Sequence, residues 1–212
     1  MTIIHITIAL IAPAVGVMLW ALSKDHYFFG FIKMLVSSGF IFLCIASGGI
    51  HSVYGWIILA GLISSWWGDL LLISEKRSLF LLGLITFFLA HVAYCVAFFL
   101  YGVGLPYVAG ALVVSFVPAA LIVRWLNPHL DEMRIPVYAY MVIITLMVCL
   151  AAGATLGTGG ALILIGAVLF YVSDIFVARE RFVAPGKINA YVGLPLYYAG
   201  QVLLAISVIY AT

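Results

Sequence analysis

A chain of 212 residues has the length of one or two soluble domains, but 67% hydrophobic residues, 8% charged residues and a mean hydropathy of +1.31 exclude a soluble fold. A formal net charge of +2, with no basic run interleaved with aromatics, argues against a nucleic-acid partner. What remains is an all-α polytopic membrane protein, read as one integral domain over residues 1–212.

About 20 apolar residues cross a bilayer core, and runs of that order predict eight spans. The first, Thr2–Leu22, has no basic residue before it and Lys24 just after it, the wrong polarity for a cleaved signal peptide, so it is read as a retained span. Phe28–Ser47 follows and holds Lys33 about one and a half turns inside its start. Ser52–Ile73 carries the run WWGDLLL and with it Asp69. Leu79–Tyr101 presents Phe87, His91, Tyr94 and Phe98 at spacings that share one helical face. After Leu105–Val123, Tyr138 opens the sixth span, Ile135–Ala152. Gly159–Ala178 contains YVSDIFV and Asp174, and Ala190–Tyr210 sets Tyr197 and Gln201 on one face just past Pro195, a residue able to kink a helix.

Charge is distributed on one side of this plan. Eight of the nine Lys and Arg residues fall in the first, third, fifth and seventh connections, and none in the others or at the termini. The positive-inside rule then sets the basic connections in the cytoplasm and both chain ends on the far side. An offset of 105 residues also matches Pro13 with Pro118, Trp20 with Trp125, Gly61 with Gly166, Asp69 with Asp174 and Glu75 with Glu180, the pattern of a parallel repeat of four spans plus four.

The two aspartates are the most informative residues. An ionisable group inside a membrane helix costs roughly 3 kcal/mol on insertion scales, so it faces a protein interior or a water-filled cavity and marks a working site. Asp69 lies five residues before Ser74 and Asp174 five before Arg179, which puts both roughly 8 Å below the cytoplasmic ends of their helices. Lys33 enters from the same side, either snorkelling to the surface or turned inward toward a carboxylate or a lipid phosphate. Together with His91, Tyr94, Tyr138, Tyr197 and Gln201, these residues predict a cavity between helices that opens to the cytoplasmic leaflet. Each has a plainer reading as well: a Lys33–Asp69 pair, hydroxyl contacts for Asp174, a packed histidine, aromatics with a polar tip. Cys44, Cys95 and Cys149 show no metal-binding or CxxC spacing and are read as small apolar residues.

Two carboxylates in a low-dielectric pocket cannot both ionise cheaply, and an acid beside a base suits hydrolysis. GxSxG, HExxH and Walker motifs are absent, and no cofactor is expected. A proton-coupled transporter of a lipid or small molecule uses the same residue types and would need a path continuing to the far leaflet. A zinc hydrolase would need His91 and both aspartates as ligands; His51 and His129 fall at loops, and His5 and His26 near span ends.

The runs GDLLLI, GLITFFLAHVAY, GAVLFYVSDIFVARERF and YYAGQVLLA, taken in that order, resemble the YhhN family of membrane proteins, which includes the lysoplasmalogenases. The resemblance reaches from Lys33 to Gln201, with Met34 standing where the family is expected often to have proline. It implies a lysophospholipid substrate drawn from the cytoplasmic leaflet, a vinyl-ether bond as the one cleaved, and a bacterial inner membrane as the setting, with membrane lipids and no obligate protein as partners. It also implies that Asp69 and Asp174 share acid and base work, that Lys33 holds the phosphate, and that His91, Tyr94, Tyr138, Tyr197 and Gln201 orient carboxylates, water or head group.

Overall fold

Backbone polar groups in hydrocarbon have no water to bond, so each spanning segment closes its own hydrogen bonds as a helix. The computed structural model describes residues 2–24, 27–158 and 160–211. Gly159, where the seventh span was expected to open, and His26 lie outside the described residues. Among the described residues the chain forms eight long helices and no strand: α1 (Thr2–Ser23), α2 (Phe29–Ala46), α3 (Val53–Leu71), α4 (Arg77–Tyr101), α5 (Leu105–Leu126), α6 (Arg134–Thr158), α7 (Ala161–Ala178) and α8 (Lys187–Ile206). Seven are long and apolar enough to cross a membrane. The other, α3, is diluted by Ser65, Gly68 and Asp69, and it tolerates them because all three are buried against neighbouring helices.

Several boundaries differ from expectation by a few residues, and two of the differences shape the packing. The Gly-rich stretch after Ala152 reads as a break, yet α6 continues through it to Thr158. Gly153 and Gly157 form a seam on which the start of α5 rests: Gly104 N donates to Gly153 O at 3.1 Å, and a Cβ at Gly157 would stand 2.9 Å from Gly104 N. α8 begins at Lys187 rather than Ala190, and a π-helical turn, Arg179–Val183, prolongs α7 into the connection between them.

α2, α3, α4, α6, α7 and α8 form a ring in which each helix packs on the next. α1 lies outside it against α2 and α8, and α5 lies outside it against α6, with Leu126 as its one buried side chain. The neighbours recur in a four-plus-four order: α1 on α2 as α5 on α6, α2 on α3 as α6 on α7, α3 on α4 as α7 on α8. The interior is filled by Phe40, Leu43, Ile58, Leu62, Phe98, Phe170 and Leu204, all fully buried.

Small residues set the closest approaches, as in other membrane bundles where packing rather than water drives association. On α3, a Cβ at Gly68 would meet the Phe87 ring at 2.5 Å and one at Gly61 would strike Tyr94, so glycine there lets α4 lie close. On α7 and α8, a Cβ at Gly200 would stand 2.9 Å from Gly166 O. These seams bring the ends of α3 and α7 that carry the aspartates into the ring.

The four basic connections gather at one end of the bundle. Arg77 pairs with Glu132 at 2.6 Å, Arg181 Nη1 donates to Glu75 O at 3.2 Å, and Lys187 Nζ donates to Ser23 O at 3.2 Å. First, third, fifth and seventh connections are thereby tied to one another.

Candidate functional site

The basic end opens into a cavity of about 680 Å³ whose wall includes both Asp69 and Asp174. Every helix contributes to it, from Leu22 on α1 to Tyr197 on α8. Its mouth carries Glu75, Glu180, Arg181 and Lys187, and one wall is apolar, formed by Leu84, Ile122, Leu126, Met141 and Ile144. Phe87, Phe170 and Tyr197 meet edge to face below the aspartates, with ring centroids 5.3–6.0 Å apart.

Asp69 sits on the last turn of α3 and is 2% exposed. Lys33 reaches it from α2, its Nζ 3.2 Å from Asp69 Oδ1 and donating to Asp69 O at 3.0 Å. Ser37 and Tyr197 each donate to Oδ2 at 2.7 Å, and Tyr198 lies 3.0 Å from Ser37 Oγ while donating to Lys33 O at 3.3 Å. The carboxylate is thus saturated by one cation and two hydroxyls, the arrangement a buried charge needs to persist. Lys33, expected either to snorkel or to turn inward, is turned inward and only 6% exposed.

Asp174 stands at the matching place on α7 with different company. Tyr140 on α6 donates to its Oδ2 at 2.5 Å, and His91 Nε2 on α4 lies 3.9 Å from the same oxygen. Its side chain is 16% exposed against 3% for Asp69, so it is the more open of the two carboxyls lining the cavity. His91 is fully buried, and its Nδ1–H donates to Phe87 O at 2.6 Å. That bond puts a proton on Nδ1 and leaves Nε2, the nitrogen nearest Asp174, with no hydrogen-bond partner among the described residues.

Of the residues singled out from sequence, Asp69, Asp174, Lys33 and Tyr197 line one cavity. His91 adjoins Asp174 from behind the wall. Tyr94 and Gln201 bond each other at 2.9 Å, both fully buried. Tyr138 turns the other way and donates to Asn127 Oδ1 at 2.5 Å. Three partners escaped the sequence reading: Ser37, Tyr140 and Tyr198. Ser37 had a usable signal, since it follows Lys33 by four residues and shares its helical face. Tyr140 had none, because Tyr138 and Tyr140 lie about 200° apart on a helix and the phase of α6 is decided by packing. Among the described residues no three His, Cys, Asp or Glu side chains gather as metal ligands would.

Known proteins place this arrangement in context. The model of the YhhN family matches residues 28–208. Over 166 residues the chain is 33% identical to a rat (Rattus norvegicus) protein named lysoplasmalogenase TMEM86B, covering 77% of this chain and 64% of that protein. Over another 166-residue alignment it is 31% identical to a bovine (Bos taurus) protein named lysoplasmalogenase TMEM86A, covering 72% of this chain and 65% of that protein. The chain therefore spans just under two thirds of the length of these curated relatives. No solved structure matches it.

Proposed function

Because the chain belongs to the YhhN family, we propose that it is a membrane-embedded hydrolase that cleaves the vinyl-ether bond of lysoplasmalogens to a fatty aldehyde and a glycerophospho-alcohol. The names of the two relatives support this reading. The observation that carries it is the contrast in one cavity between a carboxylate paired with an ammonium and two hydroxyls and a carboxyl with a single hydrogen-bond donor among the described residues.

Vinyl-ether hydrolysis begins with proton transfer to carbon, which creates an oxocarbenium ion. Asp174 is the proton donor in this mechanism. A carboxylate oxygen and an imidazole lone pair 3.9 Å apart repel each other unless one proton serves the pair, and that shared proton is the one this mechanism delivers through Asp174. Tyr140 holds the carboxyl in place. Asp69, paired with Lys33, supplies the negative charge that stabilises the cation, a fixed field that needs no rearrangement during the reaction. Water then adds to the carbon bearing the ether oxygen, Asp174 takes back a proton, and the hemiacetal collapses to aldehyde and alcohol.

The apolar wall gives the chain of the substrate a place beside these groups. With the basic end read as cytoplasmic by the positive-inside rule, the lipid enters from the cytoplasmic leaflet, as in a bacterial inner membrane. The test is release of fatty aldehyde from a lyso vinyl-ether phospholipid by the purified protein in detergent. Asp69→Asn and Asp174→Asn should each reduce it by at least two orders of magnitude; near wild-type rates in both would overturn the mechanism. Vectorial transport of the lipid by sealed vesicles without aldehyde would point to a transporter.

A further inference from the structure

We propose that the mouth of the cavity is a recognition site for a zwitterionic phospholipid head group, with the Arg181 guanidinium on the phosphate and Glu75 facing the amine. The proposal rests on the lysophospholipid reading above and names the part of the protein that reads the substrate's polar end.

The phosphate needs a cation, and Lys33 is already committed. Its ammonium is spent on Asp69 Oδ1 and Asp69 O, and only 6% of the residue is exposed. Moving it to a phosphate would leave Asp69 buried and unpaired, a costly exchange. Among the basic residues at the mouth, Arg181 is held by neutral groups: its Nη1 donates to Glu75 O at 3.2 Å and its Cζ lies 4.6 Å from the Phe80 ring centroid. It enters none of the ion pairs formed among the described residues. A guanidinium fixed on a ring and a carbonyl keeps most of its donors for a bidentate contact with phosphate, and it loses little side-chain freedom in making one.

The other charges at the mouth divide in the same way. Glu180 is used internally: its Oε2 accepts from Gly186 N at 2.7 Å and from Asn189 Nδ2, while Asn189 Oδ1 accepts from Arg179. This network shapes the π-helical turn that presents Arg181. Lys187 lines the same cavity with its ammonium donating to Ser23 O at 3.2 Å. Glu75 also lines it, is exposed, and has its carboxylate in no ion pair among the described residues. Phosphate and amine thus each have an opposite charge on the same rim. The scale agrees as well, since Arg181 follows Asp174 by seven residues, about 10 Å along a helix. That is the reach of an extended glycerophosphate with a hydrogen bond at each end.

The test uses the full chain in detergent and measures binding of non-cleavable ligands by tryptophan fluorescence. The probes are a lyso alkyl-ether phosphocholine, the matching alkyl-ether lysophosphatidate without amine, and the matching alkylglycerol without phosphate. Arg181→Gln should weaken the phosphocholine lipid about tenfold or more and leave the alkylglycerol unchanged, with Arg181→Lys between. Glu75→Gln should weaken the phosphocholine lipid about threefold relative to the lysophosphatidate. Equal loss for all three probes, or no loss in Arg181→Gln, overturns the proposal. Should Arg181→Gln not fold, Arg181→Lys carries the comparison across the same three probes. Binding is read without turnover, so head-group discrimination without aldehyde release would leave this site standing while the hydrolase reading falls, and the reverse result would do the opposite.

Discussion

Asp69 and Asp174 occupy matching places on α3 and α7, yet their surroundings differ. α2 and α8 supply Asp69 with Lys33, Ser37 and Tyr197, whereas α6 and α4 give Asp174 one hydroxyl at 2.5 Å and an imidazole nitrogen at 3.9 Å. By the order of the ring, α2 corresponds to α6 and α8 to α4, so corresponding helices finish the two carboxyls in opposite ways. Identical side chains acquire different company from their neighbours: one carboxyl is paired with an ammonium and two hydroxyls, the other meets one hydroxyl and an imidazole, the contrast on which the proposed division of acid and charge rests.

The largest expected effects separate activity from stability. Asp174→Asn removes the proposed acid and should slow aldehyde release about 10²–10⁴-fold while leaving the thermal midpoint near wild type. Asp69→Asn should also be slow, but it leaves Lys33 buried without its anion and should lose about 3–5 kcal/mol of stability. Thermal unfolding in detergent beside the aldehyde assay reads both, and equal destabilisation by the two changes would break the contrast. Lys33→Met should destabilise by a similar ~3–5 kcal/mol, and combined with Asp69→Asn it should cost less than the sum, which a double-mutant cycle measures.

The tyrosines sharpen the comparison. Tyr140 is the one hydrogen-bond donor found on Asp174 among the described residues, so Tyr140→Phe should slow turnover about 10–100-fold, corresponding to ~1.5–3 kcal/mol. Tyr197→Phe leaves Asp69 with Lys33 and Ser37 and should cost only about 1 kcal/mol of stability. The smallest effect belongs to Tyr138, whose partner Asn127 lies away from both carboxyls: Tyr138→Phe should change stability by about 0.5 kcal/mol or less and leave the rate of aldehyde release as it was.

Much of the site was legible because hydrocarbon penalises charge. The cost of burying a carboxylate or an ammonium singled out Asp69, Asp174 and Lys33 without any knowledge of contacts. Tyr140 was not legible for the opposite reason: a tyrosine in a membrane helix costs little wherever it points, so nothing in the sequence separates it from Tyr138. The continuation of α6 through Gly153 and Gly157 escaped notice in the same way, since glycine reads as a break until the start of α5 is seen resting on it.

The sequence by itself determined the class, the long apolar helices, the clustering of basic residues in alternate connections and the two ionisable positions. These follow from transfer free energies, which depend on residue type and order along the chain. Only the tertiary structure decided that Lys33 belongs to Asp69, that Tyr140 and His91 belong to Asp174, and that Arg181 stands at the mouth without an ion-pair partner among the described residues. Those pairings depend on the rotation of each helix about its axis, which is set by packing against neighbours far away in sequence.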